Sequence, residues 1–377
     1  MTWFSRQSRR IRLAGYLESF AMNAVRGFAL LIAVVGSFAL ALPAAAQLED
    51  EDAANSLSGQ PSLTLAPATP ARGGGNAFII AAGPASGLGY AMAGAMCTVY
   101  NVLADPDTPT CLVRATTGSE ENLALMDDGG VDFAVVQSDR QYFAYNGTAD
   151  YANGDEIDDL RSVFSFGILP LHVLLSPVSS ATSLKDLESA RVGLGPVGSS
   201  QRTLAQAALF ASEVAISKME YVEEGRLPVQ LDALCNSRLD AIIFPTVLPS
   251  QSAEIALNEC GARLAPLASD GIEVLVDSNP FFEPILIPAA AYRTSEAVQT
   301  IGLAITLVTR EDVPHGQVIE LLQSAYSDFE FFKSMHPALQ FLDEEAALRA
   351  GLVAPQHLGL QQYLEVQVQY SDVDTLD

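Results

Sequence analysis

Residues 77–139 read AFIIAAGPASGLGYAMAGAMCTVYNVLADPDTPTCLVRATTGSEENLALMDDGGVDFAVVQSD. Apolar runs at 78–82, 111–115 and 131–136 have the length of short buried strands, each ended by glycine, hydroxyl or amide residues. Helical stretches fill the gaps at 90–102 and 120–128, the second closed by Gly129-Gly130. Strand, helix, strand, helix, strand with short connections predicts a mainly parallel sheet. The three strand ends, at 83–89, 116–119 and 137–139, then share one edge. Ligands of open α/β sheets sit outside that edge.

The pattern restarts downstream. Strands are predicted at 171–175, 191–195 and 239–244, with helices at 203–212 and 229–236. Ser183 with Asp186 three places on opens a helix like a capping box. A strand at 303–308 and helices at 314–328 and 329–335 follow. The order assigns 77–170 with 300–377 to one α/β lobe and 171–299 to a second. Two such lobes facing each other make a cleft, and clefts between domains are the common ligand sites.

Residues 1–46 are expected to lie outside the fold. Residues 28–42 read FALLIAVVGSFALAL, without a charge, after Arg26 and before Pro43-Ala44-Ala45-Ala46. A positive flank, an apolar run and an Ala-x-Ala exit describe a secretory signal cleaved near Ala46/Gln47. An uncleaved membrane anchor is the alternative, and the start is Met1 or Met22. Residues 47–76, with Glu49-Asp50-Glu51-Asp52, three prolines and Gly73-Gly74-Gly75, read as a disordered tether.

The chain has 20 Lys+Arg against 45 Asp+Glu, a net charge of −25. Without residues 1–46 it keeps 15 basic and 44 acidic residues, a net charge of −29. Neutralising nucleic-acid phosphates or anionic lipid takes clustered cations, which this composition excludes. With 49% hydrophobic residues, the chain can still bury a substantial core. Four cysteines in an exported chain predict two disulfides. Three pairings are possible. The local one, Cys97–Cys111 with Cys235–Cys260, is chosen because each pair spans one step between elements. No C-x-x-C spacing supports a zinc site.

Catalytic and cofactor motifs are missing. The GPASGLG loop at 83–89 is not G-x-G-x-x-G, and neither a phosphate loop nor a G-x-S-x-G elbow occurs. His172, His315, His336 and His357 are scattered, without metal-ligand spacing. Loop hydroxyls at helix starts carry more signal: Ser119 and Ser199/Ser200 open helices on opposite lobes. Backbone N–H groups there bind carboxylates or phosphates without a cation. The same residues serve as ordinary N-caps elsewhere. Arg202 could add two parallel bonds to an anion, or be a solvated helix residue.

On these residues the chain resembles the TAXI group of TRAP-transporter solute receptors. The resemblance rests on T-T-G-S-x-x-N at 116–122, V-Q-S-D-x-Q-Y-x-A-Y-N-G at 136–147 and G-P-V-G-S-S-Q-R at 195–202. It extends through L-C-N-S-R-L-D-A at 234–241, N-P-F-F at 279–282, I-P-A-A-A-Y-R at 287–293 and A-P-Q-H-x-G at 354–359. It implies an α/β, two-lobe periplasmic-binding-protein fold of type II, with a hinge and an interlobe cleft. It also implies an exported, periplasmic receptor, with no cofactor, that hands a small organic anion to TRAP-type permease subunits.

Carried over by position, the ligand-binding candidates in the first lobe are Ser86, Thr117, Gly118, Ser119, Gln137, Ser138 and Tyr142. In the second they are Gly198, Ser199, Ser200, Gln201 and Pro249. The family commonly has glycine where Thr117 and Ser200 stand, tryptophan at Arg140, Gly-His before Pro249 and Gly-Gly at Ala289-Ala290. Added side chains should reshape the pocket. Two rival readings share the fold. One is a sensor partner with a degenerate pocket. The other is a lyase or dehydratase, for which Asp139 is the one well-placed carboxylate.

Overall fold

The computed structural model describes residues 77–374, apart from Pro106, Asn153 and Gly198. The expected signal and tether, 1–46 and 47–76, lie outside the described residues, as does the candidate Gly198. The first lobe opens with β1 (Ala77–Ala81), α1 (Leu88–Leu103), β2 (Thr110–Arg114), α2 (Ser119–Asp127), β3 (Phe133–Gln137) and α3 (Ser138–Asn146). The long β4 (Leu160–Leu175) leads to β5 (Arg191–Gly193), α4 (Ser200–Ala211), β6 (Tyr221–Glu223), α5 (Leu227–Cys235), β7 (Ala241–Pro245) and α6 (Gln251–Asn258). Then come β8 (Arg263–Leu264), α7 (Asp270–Ser278), β9 (Phe282–Ile287), α8 (Ala289–Tyr292), β10 (Val298–Arg310), α9 (His315–Tyr326), α10 (Phe329–Ser334) and α11 (Leu358–Asp374).

The strands run in the order β2-β1-β3-β10-β4-β7-β5-β6, with β8 on β4 and β9 on β10. β1 is parallel to β2 and β3, and β5 is parallel to β6 and β7. The fold is therefore α/β with two lobes, each with a parallel strand trio.

The expectation of a mainly parallel sheet needs correction. β10 is antiparallel to β3, β4 and β9, and β4 is antiparallel to β7 and β8. The strand expected at 171–175 is only the last part of β4, whose earlier residues pair with β10. Ser162, Ser165, Gly167 and Pro170 interrupt the apolar run and hide this length. The helix expected at Ser183 is a single 3₁₀ turn, Leu184–Leu187, although its capping box with Asp186 forms.

Each lobe has its own core. Phe78, Met96, Tyr100, Phe133, Phe164, Leu307 and Phe332 pack in the first. Leu171, Val173 and Leu175 of β4 pack with Val192, Leu209, Ile243 and Phe281 in the second. Disulfides Cys97–Cys111 and Cys235–Cys260 form, with Cα atoms 5.1 and 5.0 Å apart. Among the described residues, no helix is long and apolar enough to cross a membrane.

One buried amide ties distant segments together. Gln141 on α3 is fully buried, and its Nε2 donates to Thr306 Oγ1 on β10 at 2.7 Å. Its Oε1 accepts from Ser162 Oγ on β4 at 3.0 Å and from the N–H groups of Val353 and Ala354 at 2.6 and 2.8 Å. Truncating it orphans several buried donors, each worth about 1–3 kcal/mol. Gln141→Leu should lower unfolding free energy by about 3 kcal/mol in urea titrations; a loss under about 0.5 kcal/mol would refute this role.

His172 sits on β4 where it enters the second lobe. Its Nδ1 meets Pro170 O at 3.0 Å, its Nε2 meets Tyr292 Oη at 2.8 Å, and its ring stacks on Phe244. Burial pushes its pKa down to about 4. Between the unfolded value near 6.5 and about 4, the unfolded chain takes a proton that the folded chain refuses. Stability therefore falls as pH drops through that window, by up to about 3 kcal/mol. The stability of the wild type relative to His172→Gln should be greater at pH 7 than at pH 4.5; an unchanged difference would contradict the assignment.

Candidate ligand-binding cleft

The loops after β1 and β2 are locked to each other by side chains of the T-T-G-S-x-x-N motif. The Gly83 N–H donates to Thr116 Oγ1 at 2.9 Å, and the Thr116 N–H returns a bond to Gly83 O at 2.9 Å. The Thr116 hydroxyl donates to Asn122 Oδ1, and Asn122 Nδ2 donates to Val135 O at 2.7 Å. Asn122 is buried, so three strand ends are held in one arrangement. Gly118 precedes α2 at φ +148°, a conformation that favours glycine. Thr117 donates from its N–H and its hydroxyl to Glu121 Oε2, at 2.7 and 2.8 Å, and these bonds lower the Glu121 pKa.

A cavity of about 320 Å³ lies here, lined by Thr117, Gly118, Ser119, Glu120, Gln137, Arg140, Ser200 and Thr203. The first six come from the starts of α2 and α3, and the last two from the start of α4 on the other lobe. Helix N-termini thus approach one polar space from both sides, an arrangement suited to an anion. Thr117, Gly118, Ser119, Gln137 and Ser200 are candidates that the fold brings together at this cavity. Ser119 Oγ also accepts the Gln137 N–H at 3.3 Å.

The remaining candidates sit elsewhere. Ser86 lies exposed in the turn before α1. Ser138 is fully buried, donates to Phe281 O at 2.8 Å and accepts from the Ala304 N–H at 3.0 Å. Tyr142 packs on Phe143 and Phe281. Ser199 caps α4 by accepting the Arg202 N–H, and its own hydroxyl donates to Pro196 O at 2.7 Å. Gln201 donates to Gln230 Oε1 and Ile243 O. Arg202 pairs with Glu224 at 3.3 Å and does not line the cavity. Pro249 follows a cis bond from Leu248, and Leu248 lines a separate apolar crevice of about 40 Å³ with Val247, Phe166 and Phe341.

Glu120 and Thr203 line the cavity but are not among the sequence candidates; Arg140, a departure from the family pattern, is with Arg202 one of the two cations beside the motif loops, neither of them needed if helix N-termini suffice. Their signal in the sequence is position alone, each within a turn of a motif residue. Arg140 is 3.5 Å from Glu120, 3.5 Å from Asp139 and 3.0 Å from Asp150, with Phe143 beneath its guanidinium. Asp139 is buried, which pushes its pKa up, while Arg140 and its N–H pull it back. Among the described residues, no group of three or more His, Cys, Asp and Glu side chains could hold a metal ion.

The sequence profile of the NMT1-like family matches residues 80–367. Among solved structures, the periplasmic aliphatic sulphonate-binding protein SsuA from Escherichia coli is similar at 12% identity and TM-score 0.42, covering 78% of this chain and 79% of that one. A TctC solute-binding protein from Polaromonas is similar at 16% identity and TM-score 0.45, covering 78% of this chain and 88% of that one.

Asn122→Ala should loosen both loops at once. It should cost about 2–3 kcal/mol in stability and speed amide exchange at 116–119. Unchanged exchange there would show that Asn122 does not hold the cavity wall.

Proposed function

Since the chain belongs to the NMT1-like family, we propose that it is a solute receptor that captures a small carboxylate between its lobes. The finer reading is an exported receptor of the TAXI type that closes on its ligand and delivers it to TRAP-type permease subunits. In this reading 1–46 is a cleaved signal, 47–76 a tether, 77–170 with 300–377 one lobe and 171–299 the other. The two disulfides support an oxidising compartment such as the periplasm.

The observation that carries the reading is the polar cavity built from helix starts on opposing lobes. A ligand touching both sides favours the closed arrangement by its extra contacts there. Thr117, Gly118, Ser119, Gln137 and Ser200 are the proposed contacts. No bond is made or broken. Asp139, the carboxylate an enzyme would need, is buried beneath Arg140 and does not line the cavity.

Pyruvate, 2-oxoglutarate, succinate, glutamate and leucine form a suitable first screen by thermal unfolding. An acid present a hundredfold above its Kd should stabilise the protein by about 2.7 kcal/mol. If none of the five moves the transition and native mass spectrometry finds no co-purified acid, the receptor reading fails.

A further inference from the structure

Arg140 is the only basic side chain among the residues that line the cavity. Three carboxylates surround its guanidinium, and they are not equivalent. Asp150 accepts a hydrogen bond from Nη1 at 3.0 Å. Asp139 is 3.5 Å from Nε, buried, and fixed by the Arg140 N–H, which donates to its Oδ1 at 2.8 Å. Glu120 is also 3.5 Å from Nε but accepts no hydrogen bond from the guanidinium, and its side chain is 63% exposed. Of the three, only Glu120 lines the cavity.

Among the described residues, Nε and Nη2 of Arg140 donate no hydrogen bond. That edge of a guanidinium is shaped to hold a carboxylate by two parallel bonds. Glu120 stands before it at ion-pair range without making them. Asp150 holds the guanidinium at Nη1, and Asp139, which shares the Nε side with Glu120, is itself fixed by the Arg140 N–H, so Arg140 stays in place if Glu120 leaves.

We propose that Glu120 is a built-in counter-ion that a ligand carboxylate displaces from Arg140, so that Glu120 sets which anions the cavity admits. The inference rests on the receptor reading above. The exchange trades a long ion pair for two charge-assisted hydrogen bonds. A ligand with a second carboxylate meets the displaced Glu120 as a like charge, so dicarboxylates are held back more than monocarboxylates.

The same five acids, titrated calorimetrically into wild type, Glu120→Gln, Asp128→Asn and Arg140→Lys, test this. Glu120→Gln should tighten binding about fivefold, the upper range for a partly exposed pair, and more for succinate than for pyruvate. Asp128→Asn removes the same charge from the exposed far end of α2 and should change affinity less than twofold. Arg140→Lys keeps the charge without the two-bond edge and should weaken binding about tenfold or more. If wild type binds and Glu120→Gln binds no tighter, or Asp128→Asn tightens as much, the counter-ion role is overturned while the receptor reading stands. If no protein of the set binds any of the acids, the counter-ion role falls, and with no co-purified acid in native mass spectrometry the receptor reading falls with it.

Discussion

A single primary amide, Gln141, holds the place where four stretches of chain meet. Its side chain joins α3 to β10, to β4 and to the segment at 353–354. A buried amide with its nitrogen and its oxygen both hydrogen-bonded is rigid, because a shift orphans a polar group in an apolar core. Ser138, three residues earlier, adds bonds to Phe281 O and the Ala304 N–H. The start of α3 is therefore pinned from several sides. Gln137 and Arg140 reach the cavity because that helix start cannot move independently of both sheets.

Much of the fold was legible in residues 77–139. Short apolar runs ended by glycines can be read without tertiary knowledge, because a parallel strand buried on both faces has no polar side to conceal it. The antiparallel half was less legible. β4 contains Ser162 and Ser165, which are buried and would mark a solvent face in any pattern count. Only the fold shows that Ser162 is satisfied by Gln141 and by Ala354 O.

The site divided along similar lines. Ser119, Ser138 and Ser199 are all hydroxyls at helix starts, and spacing cannot distinguish them. Geometry does: Ser119 lines the cavity, Ser138 is sealed inside, and Ser199 bonds its own helix and Pro196. Arg140 and Glu120 become meaningful only as a pair. The strong negative charge also looks different at this scale. Summed over 377 residues it is −25, yet around Arg140 it becomes a cage of three carboxylates at 3.0–3.5 Å. Long-range repulsion is screened within about 10 Å, so an approaching anion responds mainly to such local arrangements.

The pairing of β4 with β10 also closes the first lobe with residues far apart in the chain. Leu169 lies opposite Leu303 and Leu160 opposite Arg310, so the partners are separated by well over a hundred residues. The close crossing requires Gly302, where a Cβ would sit 2.4 Å from Leu169 O. β5, β6 and β7, by contrast, lie near one another in the chain. A polypeptide emerging amino end first can bring those three together early. The first lobe must wait with β3 and β4 unpaired on one side until β10 arrives. The lobe whose strands open the fold is thus closed only by its last strand.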